Sequence, residues 1–388
     1  MRLNRAAATC AILVTGHGFG HAVRSAEIAR VLVARGMRVV VRTDAPRWLF
    51  PPGAEWLPSP GWPLDVGVAQ RDSLQLDVDE TRRRWQAFAA AFDQRVPVEA
   101  DLLRAAGADL ALGDVPPLGF AAAHQAGIPS VAVTNFAWDW IYGAWPDFAG
   151  PIARIQEAYG HADSLLRLPL HAVGPDAFPA FRRVHDVPFV ARTATIPRDA
   201  MRARLGLPAS ACVVLLSFGG FDTADLDLGA LAAWPEYLFV LTPPADAAYP
   251  TLPVNVRLLS REQIDYASVV GAADAVVTKP GYGIVVDCLV NRVPVLYTDR
   301  GPFREYPLLA RGLETLGRAR YVPSDDVRRG WLGPHLDALR ASQTPWADVS
   351  FDGADVVADH VARHVARGLH ATNTPARLQT AVEGLSER

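Results

Sequence analysis

The sequence predicts an α/β protein in which two doubly wound, Rossmann-like domains face a central cleft. Its 388 residues are enough for two domains of roughly 150–200 residues each. Short apolar segments alternate with helical ones in both halves, which is typical of a parallel sheet covered by helices on both faces. In each half a glycine-rich loop directly follows a predicted strand, at the edge where such sheets bind ligands.

The first half, residues 1–190, is predicted to form one of these domains. Apolar runs predict strands at 11–15, 37–41, 109–113 and 130–134, and apolar residues at helical spacing predict helices at 22–34, 79–104 and 119–126. Gly36 follows the first helix as a natural C-cap. Residues 55–63 are rich in Pro, Gly and Trp, and we interpret them as a long connection.

The second half, residues 191–370, repeats the pattern. Prolines interrupt all regular structure between 175 and 197, so we place the interdomain linker at 186–200. Strands are predicted at 212–217, 238–242, 254–259, 275–278 and 293–297, and helices at 263–271, 281–291, 303–312 and 354–367. Residues 371–388 lack strong apolar periodicity, which is typical of a disordered tail.

Composition excludes several classes of function. A net charge of −3 without a basic stripe argues against a nucleic-acid partner. Three widely separated cysteines offer neither metal spacing nor a disulfide framework, and they predict a cytoplasmic protein. The apolar run at 10–14 is too short for a signal peptide, and no stretch approaches the ~20 apolar residues of a membrane span. Peripheral membrane contact through scattered aromatic residues stays open.

Histidines mark the first glycine loop, which reads Thr15-Gly-His-Gly-Phe-Gly-His21. It is not a dinucleotide fingerprint, because no acidic residue closes the second strand to bind a ribose. We predict that His21 is a general base and that Asp114, which follows another strand, is the carboxylate behind it. The alternatives are that the histidines only cap the helix or fill the turn and that Asp114 only caps the next helix.

An acceptor site is predicted beside this base. Asn135 and Trp138 follow the strand at 130–134, and aromatic rings stack on sugars and other flat acceptors. We therefore assign His17, Asn135 and Trp138 to acceptor binding. The crowding of Trp138, Trp140, Tyr142 and Trp145 is equally compatible with a core cluster at a domain interface.

The glycine loops of the second half predict a phosphate site. Gly219 and Gly220 follow one predicted strand. Lys279, the only lysine of the chain, follows another, and Gly281 and Gly283 come next, where a helix is predicted to begin. Backbone amides and a helix N-terminus attract a diphosphate, and a carboxylate within that helix, Asp287, can accept ribose hydroxyls. A P-loop is absent, and the two Asp-x-Asp triplets follow no strand, so we expect neither a P-loop kinase nor a metal site.

These residues resemble those of known glycosyltransferases. The second-half loop, followed by Val293-Pro-Val-Leu-Tyr297 and Arg304-Glu-Tyr306, is similar to the donor-binding half of family 28 and related GT-B enzymes. The motifs Gly16-His-Gly-Phe-Gly-His21 and Asn135-Phe-Ala-Trp-Asp-Trp-Ile-Tyr142 are closer to the glycosyltransferase-like N-terminal region of L-arabinokinases, whose kinase half has no counterpart here.

The resemblance implies a GT-B fold, with a nucleotide sugar on the C-terminal domain and an acceptor on the N-terminal one. It implies that His21 is the base and that Glu305 contacts the donor sugar. Asp287 stands where a longer glutamate usually binds the ribose, and Arg24 stands where many members have proline.

The expected activity is an inverting, metal-independent transfer of a sugar from a nucleotide-diphosphate donor to an acceptor hydroxyl. No cofactor is expected beyond the nucleotide sugar, which is a co-substrate, and its partner is an unidentified acceptor. The alternatives are a nucleotide-sugar epimerase or hydrolase of the same fold and a non-catalytic sugar-nucleotide-binding protein.

Overall fold

The computed structural model describes residues 7–70, 76–218, 226–243, 251–260 and 265–372. Within them the chain forms two parallel sheets, one in each half, with helices on both faces. This confirms the predicted α/β architecture. The predicted tail lies outside the described residues from position 373 onward.

The first sheet has seven strands in the order β3-β2-β1-β4-β5-β6-β7. Their bounds are β1 Thr9–Val14, β2 Arg38–Arg42, β3 Ala54–Trp56, β4 Leu110–Asp114, β5 Ser130–Thr134, β6 Ser164–Arg167 and β7 Val184–Asp186. The central strands β1, β4 and β5 are buried along their whole length, as expected for strands covered on both faces.

The second sheet has six strands in the order β10-β9-β8-β11-β12-β13. Their bounds are β8 Cys212–Ser217, β9 Tyr237–Leu241, β10 Val256–Leu258, β11 Ala275–Thr278, β12 Val295–Tyr297 and β13 Ala319–Tyr321. Both sheets therefore have the same plan, in which the first strand lies at the centre and the chain crosses over to its other side.

The helices have the following bounds: α1 Gly18–Ala34, α2 Val78–Ala90, α3 Phe92–Ala105, α4 Pro117–Ala126, α5 Trp138–Tyr142, α6 Ala149–Tyr159, α7 Arg198–Arg204, α8 Tyr266–Ala272, α9 Tyr282–Val290, α10 Tyr306–Leu316, α11 Ser324–Arg328, α12 Gly333–Arg340 and α13 Gly353–Thr372. Two expectations differ from this. The helix predicted at 79–104 is broken at Ala91 into α2 and α3, and the connection predicted at 55–63 begins within the edge strand β3. Among the described residues, no helix combines the length and apolarity needed to cross a membrane.

The register of the central strands positions the loops that carry the candidate site. Val14 at the end of β1 pairs with Asp114 at the end of β4, so the loop after β1 begins beside that carboxylate. In the second sheet Ser217 at the end of β8 pairs with Thr278 at the end of β11. Each pair marks the point where the strand order reverses, which is the usual ligand edge of such sheets.

The last helix returns to the first domain. Helix α13 packs against α1 and β4, and Arg35, the residue that follows α1, forms ion pairs with Asp355 and Asp359 of α13. Where α13 begins, its chain runs beside the linker: the N–H of Gly353 donates to the carbonyl of Phe189 at 3.0 Å, and the N–H of Phe189 donates to the carbonyl of Ser350 at 3.2 Å.

Candidate active site

Two helix N-termini meet at a cleft of about 550 Å³ between the domains. Helix α1 begins after His17 and helix α9 begins after Gly281, and neither helix has a side-chain hydrogen bond from its N-cap residue to its own first N–H groups. Both helices therefore direct their first N–H groups and the positive ends of their dipoles toward the cleft, an arrangement that attracts anions.

The two helices touch through glycine. A Cβ atom on Gly20 would lie 3.4 Å from the backbone nitrogen of Gly283, and one on Gly283 would lie 3.3 Å from the Cα of Gly20. Both distances are at or just below the lower limit of ordinary van der Waals contact, so the backbones already approach as closely as a Cβ would allow, and a side chain longer than alanine would have to displace one of the helices. The glycines that the sequence marks as a loop feature thus also bring the two domains together.

The predicted pair of His21 and Asp114 is present. The imidazole Nδ1 lies 3.0 Å from Asp114 Oδ1, with both side chains buried, and the ring lines the cleft. His21 belongs to the first turn of α1, and Asp114 is the last residue of β4. The pairing of β1 with β4 brings them together across a sequence separation of 93 residues.

Arg24, one turn further along α1, shares the same carboxylate. Its Nε donates to Asp114 Oδ2 and its Nη2 to Asp114 Oδ1, both at 2.6 Å. The guanidinium is only 2% exposed and lies over the ring of Tyr282, 5.0 Å from its centroid. Such a bidentate pair is the strongest common geometry between arginine and a carboxylate.

Burial and the neighbouring charges determine the protonation states of Asp114 and His21. Burial alone would raise the pKa of Asp114, but the positive charge of Arg24 and the hydrogen bonds from Arg24 and His21 hold it at about 2. Burial lowers the pKa of His21 below its usual value; Asp114 opposes this effect and Arg24 adds to it. The structure therefore presents a neutral imidazole beside an ionised carboxylate at neutral pH.

A hydrogen-bonded chain continues into the second domain. Arg24 Nη1 donates to Asn135 Oδ1 at 2.7 Å, and Asn135 Nδ2 donates to Glu305 Oε1 at 2.8 Å. The other oxygen of Glu305 accepts from Arg300 Nη1 at 2.9 Å. Asn135 is fully buried and lies behind the cleft wall, whereas Glu305 and Arg300 line it.

His17 lies at the surface of the cleft, whereas Trp138 lies in the core behind it. The His17 ring lines the cleft, its Nδ1 accepts the N–H of Val68 at 3.2 Å, and burial lowers its pKa to about 3. Trp138 is fully buried beneath it, with the two rings edge to face at 5.2 Å. Its indole N–H donates to Asp65 Oδ2 at 2.8 Å. Trp138 therefore supports His17 from the core. The expectation that Asn135 and Trp138 contact an acceptor directly is thus wrong for both, because each is fully buried and neither lines the cleft.

The donor-side residues surround the start of α9. Lys279, Gly281, Gly283 and Asp287 all line the cleft. Asp287 is buried and forms an ion pair with Arg192, which also lines the cleft. Burial raises the pKa of Asp287 despite this partner. The carboxylate predicted to bind a ribose is thus already paired with Arg192. The predicted Gly219 and Gly220 lie outside the described residues.

An apolar wall completes the first-domain side. The ring of Trp48 is 48% exposed and packs edge to face against Phe19 at 6.0 Å. Leu49 and Val68 extend this wall along the cleft. The second-domain side carries the charged residues Lys279, Asp287, Arg300 and Glu305 together with apolar residues such as Leu216 and Ile284.

The sequence predicted most of the residues at the cleft, but it did not predict the side chains that form hydrogen bonds and ion pairs with them. Of the predicted residues, those that line the cleft are His17, His21, Lys279, Gly281, Gly283, Asp287 and Glu305, and those behind its wall are Asp114, Asn135 and Trp138. The partners that it missed are Arg24 as the partner of Asp114, together with Asp65, Arg192 and Arg300. Arg300 could have been predicted, because it comes three positions after a strand and lies with Glu305 in the loop that precedes α10. Asp65 lies in an irregular segment, where no sequence pattern marks it as a site residue.

The described residues contain no group of three or more His, Cys, Asp or Glu side chains that could hold a metal ion. Of the two Asp-x-Asp triplets, the first supplies the N-cap of α2, where Asp77 accepts the N–H of Glu80 at 2.9 Å. The second begins at Asp225, outside the described residues.

The two facing sheets define the GT-B fold, which solved glycosyltransferases share. The glycosyltransferase of kitacinnamycin aligns with a TM-score of 0.58 and 21% identity over 95% of this chain and 96% of its own. The glycosyltransferase SnogD from Streptomyces nogalater aligns with a TM-score of 0.57 and 18% identity over 94% of this chain and 99% of its own.

In sequence, the chain is similar to L-arabinokinase from Arabidopsis thaliana, with 32% identity over 374 residues. The match covers 94% of this chain, so the likeness seen in the first-half motifs extends through both domains. The chain spans only 35% of the length of that relative. No protein-family model matches the chain.

Proposed function

We propose that the protein is a glycosyltransferase that moves a sugar from a nucleotide-diphosphate donor to an acceptor hydroxyl with inversion and without a metal ion. The observation that carries this proposal is a neutral imidazole, His21, paired with Asp114 and facing the free N-terminus of α9 across one cleft. A base on one wall and an anion site on the other are the two groups that such a transfer needs.

Counting hydrogens assigns the basic nitrogen. Thr134 Oγ1 donates its hydrogen to the carbonyl of Phe136 at 2.7 Å, so it must accept from Arg24 Nη2 at 3.0 Å. The two hydrogens of Nη2 are then used by Thr134 and by Asp114 Oδ1. Although Nη2 lies 2.8 Å from His21 Nδ1, it has no hydrogen left to donate. His21 Nδ1 must therefore carry its own hydrogen and donate to Asp114, which leaves the lone pair on Nε2.

The transfer then follows as a single displacement. Nε2 of His21 accepts the proton of the acceptor hydroxyl while the hydroxyl oxygen forms a bond to the anomeric carbon of the donor. The bond from that carbon to the diphosphate oxygen breaks, and the diphosphate leaves with the electron pair. Asp114 stabilises the imidazolium that forms. The N–H groups at the start of α9 and the ammonium of Lys279 stabilise the departing negative charge.

The acceptor side supports a hydroxyl compound that packs on the apolar wall. Phe19 and Trp48 lie on the same side of the cleft as His21, and the charged residues Lys279 and Arg300 lie on the other. A donor diphosphate and an acceptor can thus approach the base from opposite walls.

A second candidate is a sugar-nucleotide-binding protein without turnover. It is favoured by one observation: both oxygens of Glu305 already accept hydrogen bonds, from Asn135 and Arg300, and a donor sugar would have to share or displace them. An epimerase or hydrolase would use the same cleft with the sugar itself or water as the reactant.

Two measurements test the proposal. A thermal-shift panel of UDP, dTDP, GDP and their common sugars identifies the donor, because a ligand that binds only the folded state raises the melting temperature. Radiolabelled donor is then incubated with and without candidate acceptors. Labelled glycoside that forms only with an acceptor supports a transferase. Release of free sugar without an acceptor would point to a hydrolase, a changed sugar on the nucleotide to an epimerase, and binding without turnover to the second candidate.

A further inference from the structure

We propose that Arg24 is a positioning residue that orients Asp114 beneath His21, keeps the imidazole uncharged at neutral pH, and connects this base to Glu305 in the other domain. The chemical use of the base rests on the proposed function, but the arrangement itself can be tested without a substrate.

The first step is the geometry of the guanidinium, which is fully engaged. Nε and Nη2 donate hydrogen bonds to the two oxygens of Asp114. Nη2 also donates to Thr134, and Nη1 donates to Asn135. The ring of Tyr282 covers one face. Because both oxygens of Asp114 accept hydrogen bonds from Arg24, rotation of the carboxylate is restricted, and its Oδ1 is held 3.0 Å from His21 Nδ1.

The second step is the charge balance. Asp114 and Glu305 supply the negative charges that act on His21, and Arg24 supplies the opposing positive charge. His17, Lys279 and Arg300 line the same cleft as His21, and the charges of Lys279 and Arg300 act on His17. Without Arg24, the buried carboxylate would have His21 as its only cationic partner, and pairing would favour the protonated imidazole.

The third step is the link across the cleft. Arginine can only donate hydrogen bonds, so the side-chain oxygen of Asn135 must face Arg24, and its NH₂ group must face Glu305. The orientation of the amide is thus set from the base side. Glu305 is then held by Asn135 of the first domain and by Arg300 of its own domain.

The test is a pH titration of the histidine rings by long-range ¹H–¹⁵N NMR, with His21→Gln to identify the His21 signals. In the parent protein we expect a neutral ring with its hydrogen on Nδ1 at pH 7. Arg24→Met should raise the pKa of His21 by about 1–3 pH units, the usual effect of a nearby charge. Arg24→Lys, which keeps the charge, should leave the pKa closer to that of the parent.

Asn135→Ala is the matched control, because it removes an uncharged partner of Arg24 and should leave the pKa of His21 near the parent value. An unchanged pKa in Arg24→Met would overturn the proposal. If that variant does not fold, the tautomer of His21 in the parent protein tests the proposal. A ring with its hydrogen on Nε2 at pH 7 would contradict the proposed geometry.

The outcome is separable from the proposed function. A shifted His21 pKa in a protein that transfers no sugar would support the role of Arg24 and count against the transferase. Sugar transfer by Arg24→Met with the same pH profile as the parent would support the transferase and overturn the role of Arg24.

Discussion

The buried carboxyl of Asp65 makes the stability of the protein depend on pH in a predictable way. Asp65 is 4% exposed and accepts hydrogen bonds from the hydroxyl of Thr15 at 2.9 Å and the indole N–H of Trp138 at 2.8 Å. Burial raises its pKa to about 7, against about 3.9 for an unfolded chain. Since the folded pKa is the higher one, the stabilising effect is fully present below pH ~4 and is lost as the pH rises through about 7.

The size of this effect follows from the same two values. A difference of about 3 pH units, at about 1.4 kcal/mol each, corresponds to about 4 kcal/mol of unfolding free energy lost between pH ~4 and ~8. Asparagine carries no charge, and its amide can accept from Trp138 and donate to the oxygen of Thr15. Asp65→Asn should therefore remove this pH dependence and be more stable than the parent at pH 8, by at most about 4 kcal/mol.

The assay is urea unfolding of the parent, Asp65→Asn and the exposed control Asp199→Asn at pH values from 4.5 to 8.5. The free energies of the parent and Asp65→Asn should diverge in favour of the variant as the pH rises, while Asp199→Asn follows the parent. Parallel curves for all three proteins would refute the reasoning. They would mean that the hydrogen bonds from Thr15 and Trp138 hold the carboxylate in its ionised form without cost.

Three further predictions concern the cleft. His21→Ala should lower turnover by about 10²–10⁴-fold with donor binding nearly unchanged, and near-normal steady-state rates would transfer the role of base to His17. Asp114→Asn should lower turnover and move the acidic limb of the pH–rate profile to lower pH, because a negative charge that raises the pKa of His21 is lost; an unmoved limb would make Asp114 structural. Lys279→Met should weaken nucleoside diphosphate binding by ~1.5–3 kcal/mol in calorimetry while the nucleoside without phosphates binds as before. Lys279→Arg is the sharper comparison, because a guanidinium replaces the compact ammonium next to Pro280, and equal diphosphate affinities in all three proteins would leave Lys279 without a role in binding.

The positions of the candidate residues were predictable because they follow from topology. His21 and Asp114 are far apart in sequence, yet both come after strands of one parallel sheet, and the carboxyl ends of such strands meet at one edge. The same logic placed Lys279 on the facing wall, whereas Glu305 was predicted only from the resemblance to GT-B enzymes. Periodicity also located most helices and strands, since strands buried on both faces are short and apolar.

The hydrogen-bond partners were not predictable in the same way. Arg24 occupies an inward position of α1, but periodicity alone does not show that a buried arginine grips two oxygens of a residue 90 positions away. Arg192 lies in the proline-interrupted linker, and its contact with Asp287 depends on how the linker folds. Trp138 illustrates the reverse error, because an aromatic residue after a strand can face a ligand or the core, and here neighbouring aromatic rings bury it.

The return of α13 to the first domain has a mechanical consequence. The polypeptide connects the domains twice, at the linker and at the start of α13, and the two connections are hydrogen-bonded side by side through Phe189 and Gly353. A Cβ on Gly353 would lie only 2.2 Å from the carbonyl oxygen of Pro188, so only glycine fits this junction without displacing it. Because the two crossings lie side by side and are hydrogen-bonded to each other, we expect any widening of the cleft to be a rotation about this pair rather than a sliding motion of the domains. Cutting the chain at the linker would therefore leave the first domain without the helix that covers α1, and neither half would be a mechanically independent body.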